Sequence, residues 1–268
     1  MSTTWSGIDV SEWQGNIDWN KVKASGVQFA LLRIGFGDVL SYPNQIDRQF
    51  KANYQKCKAA GIPVGGYFYC YAEDEAAARR EAQGCLSLIN GLQFEYPLYY
   101  DVEEYDTFRT GKTNEIMKAF ADVTESKDWW TGMYIYRSAA QSYLTERTKT
   151  RYAMAIAEYG PKLNYSGPYG IWQNSSTTHV NGISGNVDHD FCYVDYPSQI
   201  KAKGKNGYPK PVAKLMYQVT KDTPIVEFEG TATAGKTYEV LGRKTVCGVQ
   251  YGRVTTNGWI SLKDAKQV

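Results

Sequence analysis

Histidine is scarce in this 268-residue chain: only His179 and His189 are present, and no H-E-x-x-H pair occurs. A zinc-dependent hydrolase needs two His plus a Cys, Asp or Glu ligand at one cleft, so metal-assisted hydrolysis is disfavoured and no metal is expected. Cysteine is limited to Cys57, Cys70, Cys85, Cys192 and Cys247, an odd number without C-x-x-C. Neither a zinc motif nor a disulfide framework is suggested, and the thiols read as reduced and mostly core. None sits in a strand-to-helix setting suited to a Cys–His nucleophile. Apolar runs never approach the ~18 residues of a membrane span, so no membrane insertion is expected. The start, Met1-Ser2-Thr3-Thr4-Trp5-Ser6, lacks a basic region followed by an apolar one. Synthesis in the cytoplasm without a Sec-type leader is therefore expected. No G-x-G-x-x-G follows the first apolar strand pattern, which weighs against dinucleotide binding; no cofactor is expected.

Charge is nearly balanced at +2 overall but unevenly placed. Residues 201–268 carry 12 Lys+Arg against 5 Asp+Glu, whereas residues 1–200 carry 18 against 23. A basic tail beside an acidic main domain suits a tail that seeks a polyanion, either nucleic acid or the anionic bacterial cell wall.

Residues 5–10, 27–34, 63–71, 96–101, 132–136, 152–157 and 167–173 are rich in β-branched and aromatic residues and bounded by Gly or Pro. They read as strands. Helical patterns lie between them, most clearly over 47–60, 74–89, 113–127 and 138–147, with stops such as Gly61 before Ile62-Pro63. Strands alternating with helices over about 190 residues predict an α/β protein with a TIM-like (β/α) barrel, irregularities allowed. Residues 198–212 are rich in Lys, Gly and Pro and read as a linker. Beyond it, short strand patterns over 216–219, 237–241, 249–255 and 259–262, with Asn257-Gly258 as a hairpin signal, predict a small all-β barrel over 213–268. The expected division is thus a domain over 1–197, a linker over 198–212 and a second domain over 213–268.

Chemistry in a β/α barrel sits at the carboxyl ends of the strands. Tyr99-Tyr100-Asp101-Val102-Glu103-Glu104 puts two carboxylates two apart at the end of an apolar, aromatic strand pattern. Residues i and i+2 share a strand face, with Cβ atoms roughly 6 to 7 Å apart. Each charge then raises the other's pKa, which suits an acid pair acting on a glycosidic bond. Asp9 falls at the end of the first strand pattern, and Asp188 in Gly185-Asn186-Val187-Asp188-His189-Asp190 closes the barrel region. Taken singly, Asp9 reads equally as a turn cap and Asp188 as one of a solvated trio with His189 and Asp190. Three segments delivering acids to one mouth favour catalysis.

Gly7-Ile8-Asp9-Val10-Ser11 with Gln14-Gly15, Gly65-Gly66-Tyr67, Asp101-Val102-Glu103, Gly132-Met133-Tyr134, Trp172-Gln173 and Gly185-Asn186-Val187-Asp188 occur in the order found in glycoside hydrolase family 25 lysozymes. The resemblance spans residues 5 to 195. The tail, with Tyr217-Gln218-Val219-Thr220 and Asn257-Gly258-Trp259-Ile260, looks like a bacterial SH3-type domain, although Ile225-Val226-Glu227 stands where such domains usually show Asn-Val-Arg.

The resemblance implies a muramidase that cleaves the β-1,4 bond between N-acetylmuramic acid and N-acetylglucosamine in bacterial peptidoglycan. Glu103 matches the general acid, Asp101 the residue that assists the substrate's 2-acetamido group, and Asp9 and Asp188 the supporting acids. Motif position puts Tyr67, Tyr134 and Trp172 at the mouth, where sugar rings stack on aromatic faces. Many relatives carry Thr-Glu-Gly after the second strand, where this chain has Ile34-Gly35-Phe36-Gly37-Asp38; that acidic position is absent or moved to Asp38. The expected partners are peptidoglycan and, for the basic tail, anionic wall polymers, with no nucleic acid; action on the wall follows release from the cell. The rivals are a non-catalytic wall-binding protein and a chitinase-like glycosidase, the latter normally carrying an Asp where this chain has Tyr99.

Overall fold

The computed structural model describes residues 4–200 and, beyond them, eight short strand segments. The chain divides into two compact units, Met1–Pro209 and Lys210–Val268. The first carries β1 (Trp5–Val10), α1 (Trp19–Ala24), β2 (Phe29–Phe36), α2 (Phe50–Ala59), β3 (Val64–Tyr69), α3 (Glu75–Leu88), β4 (Leu98–Asp101), α4 (Tyr105–Arg109), α5 (Thr113–Glu125), β5 (Thr131–Tyr136), α6 (Arg137–Tyr143), α7 (Glu146–Arg151), β6 (Ala153–Ala157), β7 (Ile171–Thr178), β8 (Val187–Cys192) and α8 (Tyr196–Gln199).

The eight strands close into a barrel in sequence order. β1 to β7 run parallel to their neighbours, whereas β8 is antiparallel to both β7 and β1. The cause is chain length: the connection after Thr178 is too short for the dozen or more residues of a parallel crossover, so β8 returns as a hairpin arm.

Three sequence expectations are corrected here. β7 runs over Ile171–Thr178 rather than 167–173, and β8 was not anticipated at all. Its apolar Val187 and Phe191 alternate with acids, which is the pattern of a solvated strand when read alone. The helix expected over 138–147 is two, α6 and α7, separated by extended Leu144 and capped afresh where Thr145 accepts from the Thr148 N–H. Asn114 holds that break, its Oδ1 accepting from the Thr145 N–H at 2.9 Å and the Thr148 hydroxyl at 2.7 Å.

Phe29, Leu31, Tyr96, Tyr99, Ala155, Ile171, Cys192 and Tyr196 pack as one apolar cluster. Phe29 stacks on Tyr96 at 4.5 Å between ring centroids. Two motif glycines make room for these rings: a Cβ on Gly7 would lie 2.4 Å from the Phe29 ring, and one on Gly132 would lie 2.5 Å from Tyr99. A larger core fills the space between barrel and helices, and Cys57, Cys70, Cys85 and Cys192 are buried free thiols within the unit.

One core acid ties the helical layer to the strand ends. Glu81 of α3 is 3% exposed; it accepts from the Tyr100 hydroxyl at 2.6 Å and from the Tyr71 N–H at 3.1 Å. Burial pushes its carboxyl up to about 7 from 4.5. Between those values the folded state holds a proton that the unfolded chain has released, so stability falls as pH rises through this window and is flat below it. Relative to Glu81→Gln, wild-type stability is expected to drop by about 3 kcal/mol across it. Urea unfolding of both proteins as a function of pH checks this, and parallel curves would refute it.

In the second unit the strands are β9 (Met216–Val219), β10 (Thr223–Pro224), β11 (Thr231–Ala232), β12 (Thr237–Glu239), β13 (Gly242–Val246), β14 (Val249–Arg253), β15 (Trp259–Ser261) and β16 (Ala265–Gln267). They pair antiparallel in sheets β12-β9-β16, β13-β14-β15 and β10-β11. The linker expected over 198–212 and the Asn257-Gly258 turn lie largely or wholly outside the described residues. Among the described residues no helix is long and apolar enough to cross a membrane.

Candidate active site

The carboxyl ends of the parallel strands surround a pocket of about 320 Å³. Asp9 reaches it from β1, Arg33 from β2, Tyr67 and Tyr69 from β3, Asp101 from β4, Tyr134 from β5, Gln173 from β7 and Asp188 from β8. Glu103 lies two residues past the end of β4, in the turn before α4, and lines the same pocket. Asp101 and Glu103 therefore share the pocket without sharing a strand.

Register sets the relation of the other two acids. Asp9 and Asp188 are direct cross-strand partners, and Asp190, one step along the same face of β8, stands opposite Gly7. Asp190 is 1% exposed, so this member of the trio is not solvated, whereas Asp188 and His189 are half-buried. The sequence reading missed it because Asp-His-Asp after a Gly-rich turn has the composition of a surface loop. His189 points the other way, placed between the Ser6 hydroxyl (2.8 Å) and Asn174 Oδ1 (2.6 Å).

Polar contacts orient the inner acids. The Tyr134 hydroxyl donates to Gln173 Oε1 at 2.9 Å, which turns the amide so that Nε2 donates to Asp9 Oδ2 at 2.7 Å. Asp101 is 5% exposed and its Oδ1 has no hydrogen-bond partner. Around Glu103, the Tyr69 hydroxyl donates to the adjacent Glu104 at 2.8 Å.

The electrostatics follow from burial among like charges. Burial raises Glu103 above the usual carboxylate range, and Glu104 and Asp188 add to the rise. Burial and Glu103 hold Asp101 well up, with Arg33 opposing. Asp9 is raised by burial and then by Asp190 and Asp188, against the Gln173 hydrogen bond; Asp188 is raised by burial. Arg33 is the cation among the lining residues, and it is already engaged by Asp47 at 2.8 Å and Glu12 at 3.2 Å. The pocket carboxyls thus hold their protons to higher pH than free carboxyls would.

Asp38, considered as a displaced acidic position, caps a surface turn through Ser41 and is not part of the pocket. Trp172 is not brought to the pocket either. It is 7% exposed on the opposite face of β7 from Gln173, donating from Nε1 to the Glu158 carbonyl at 2.8 Å and packing on Phe191. Its motif position was legible but its direction was not, since one residue along a strand reverses the face. Two rim aromatics escaped the sequence reading: Trp13, 79% exposed on the turn after β1, and Tyr159, 58% exposed after β6. Among the described residues no cluster of His, Cys, Asp and Glu is arranged to hold a metal ion.

The sequence profile described as Glycosyl hydrolases family 25 matches residues 8–183. The autolytic lysozyme of Clostridium acetobutylicum is 32% identical over 185 residues, covering 69% of this chain and 54% of its own length. Lysozyme M1 of Streptomyces globisporus is 28% identical over 211 residues, covering 69% and 66%. Among solved structures, the modular autolysin LytC from Streptococcus pneumoniae, in complex with a synthetic peptidoglycan ligand, superposes with a TM-score of 0.63 at 28% identity, covering 71% of this chain and 47% of that one. The chain thus spans about half the length of the first two proteins it matches in sequence and structure.

Proposed function

This chain belongs to glycosyl hydrolases family 25, whose profile spans well over half its length, and on that premise we propose that it is a peptidoglycan hydrolase cleaving the β-1,4 bond between N-acetylmuramic acid and N-acetylglucosamine. The observation that carries this reading is the set of four pocket carboxyls, Asp9, Asp101, Glu103 and Asp188, crowded where one cation is already committed elsewhere.

Glu103 is the general acid. It is the pocket carboxyl on the turn beyond β4, and burial and its acidic neighbours raise it above the usual carboxylate range, which favours the protonated form. It gives its proton to the glycosidic oxygen as the bond to the anomeric carbon breaks. Asp101, deeper at the strand end, aligns the 2-acetamido group of the sugar, whose carbonyl oxygen closes on the anomeric carbon from the opposite face. Water then opens that ring, giving its proton to Glu103 and restoring the acid. Such substrate assistance dispenses with an enzyme nucleophile. Asp9 and Asp188 position sugar hydroxyls, and the charge of Asp188 adds to the rise of the Glu103 carboxyl. Tyr67 and Tyr134 line the walls, and Trp13 and Tyr159 present ring faces at the rim on which sugars stack.

The second unit is read as a bacterial SH3-like wall-binding domain in the 213–268 division, supported by its short antiparallel strands and its basic excess. Anionic wall polymers suit that charge, in keeping with a catalytic unit that acts on the wall after release from the cell. A TIM-like, irregular (β/α) architecture for the catalytic barrel is supported by its seven parallel strands.

Digesting purified peptidoglycan, reducing the products with borohydride and identifying the new ends by mass spectrometry tests the proposal. Muramitol ends are expected. Glucosaminitol ends would move cleavage to the other bond, freed peptides would indicate an amidase or peptidase, and an absence of products would replace catalysis by wall binding.

A further inference from the structure

Arg33 lines the pocket, yet its hydrogen bonds lead away from the reacting carboxyls. Its Nε donates to Asp47 Oδ2 at 2.8 Å and its Nη2 to Glu12 Oε1 at 3.2 Å. Asp47 is 3% exposed; the same Oδ2 accepts from the Glu12 N–H at 2.9 Å, and Oδ1 accepts from the Gln49 N–H at 2.9 Å. Glu12 Oε2 accepts in turn from Arg48 Nε at 2.6 Å. Acids and arginines thus alternate along one chain of contacts, Asp47, Arg33, Glu12 and Arg48. Glu12 is held in it by both its backbone and its side chain.

The residue that this chain fixes is the next one. Glu12, Trp13 and Gln14 form a single turn after β1. On the other side of Trp13, Gln14 Oε1 accepts from the Ser11 N–H at 2.9 Å and Gln14 Nε2 donates to the Asn186 carbonyl at 3.3 Å. Both neighbours of Trp13 are therefore anchored, whereas Trp13 itself is 79% exposed at the pocket rim. Hydrophobic burial is not what holds the indole there, since little of its surface leaves water. Stability is a poor reason for the whole network as well. Fixing long charged side chains costs rotamer entropy, and the outer pair, with Arg48 82% exposed, contributes little. A flat apolar ring held out into water beside an acid-lined cleft is preorganised for a ligand, because the turn is ordered before the ligand arrives.

We propose that Glu12 is a positioning residue: together with Arg33 and Asp47 it braces the turn that presents Trp13 as a platform for a sugar of the glycan lying outside the acid-lined pocket. Arg33 then serves the rim rather than an anionic group of the substrate. Glycan as the ligand rests on the hydrolase reading above.

The test is a double-mutant cycle in the full chain, read on soluble fragments of alternating N-acetylglucosamine and N-acetylmuramic acid. Trp13→Ala is expected to raise KM about tenfold. Glu12→Ala is expected to cost about fivefold, the loss falling on KM rather than kcat, and Glu12→Gln, which keeps an acceptor, about twofold. In the Trp13→Ala background Glu12→Ala should add no more than about twofold, because the group it positions is gone. Fully additive losses overturn the proposal by giving Glu12 a general structural role, and a loss in kcat alone overturns it by routing the effect through Arg33 to Asp101. Should Glu12→Ala not fold, Glu12→Gln carries the same cycle. A wild type that cleaves nothing counts against the hydrolase reading alone; the cycle is then read as Kd for the same fragments by calorimetry, and failure of the wild type to bind them overturns the platform too.

Discussion

Glu103→Gln is expected to lower kcat on peptidoglycan by about 10³-fold while leaving binding to the wall unchanged. The substitution removes a proton and almost no volume, so the pocket keeps its shape. What disappears is the acid that must protonate the leaving oxygen. Glu104 cannot take over: it sits at the N-terminus of α4, accepts from the Tyr69 hydroxyl at 2.8 Å, and is not among the pocket residues. Glu104→Gln should accordingly lose only a few-fold, and this comparison separates the general acid from its neighbour. Turnover that survives in Glu103→Gln, or a larger loss in Glu104→Gln, would reassign the acid.

The second large effect is on stability. Trp172→Ala is expected to destabilise the catalytic unit by about 3 to 5 kcal/mol, because a buried indole leaves a cavity that the strands around it cannot close. The indole N–H bond to the Glu158 carbonyl goes with it. That carbonyl belongs to the segment that follows β6 and leads to Tyr159 at the rim, so Trp172 supports the mouth from outside the barrel wall. Urea denaturation followed by circular dichroism gives the loss directly. A variant of wild-type stability with a raised KM would instead put the ring in contact with sugar, as its motif position suggested.

Much of the site was legible because its residues stand in short motifs at strand ends. Asp9, Asp101, Glu103 and Asp188 could be named from Gly-Ile-Asp, Asp-Val-Glu and Asn-Val-Asp taken together in their order along the chain, and all four line one pocket. Asp190 was not legible, since nothing in Asp-His-Asp says which residue turns inward. Pairing with β1 decides that. Trp172 fails for the same reason with the opposite outcome: its neighbour Gln173 takes the inward position and the hydrogen bond to Asp9. Arg33 gave no local signal either; its place in the pocket depends on Asp47 and Glu12, which lie 14 and 21 residues away.

By itself the sequence determined the alternation of strands and helices, the acid motifs and the change of composition near residue 200, because each is written in local periodicity, turn chemistry and charge. Only the tertiary structure decided that β8 runs backwards to close the barrel, which side chains of β7 and β8 face inward, and which carboxyls come together. Those are matters of register between strands up to about 180 residues apart, as for Asp9 and Asp188. A period-2 pattern states that faces alternate; it takes a paired neighbour to say which face is inside.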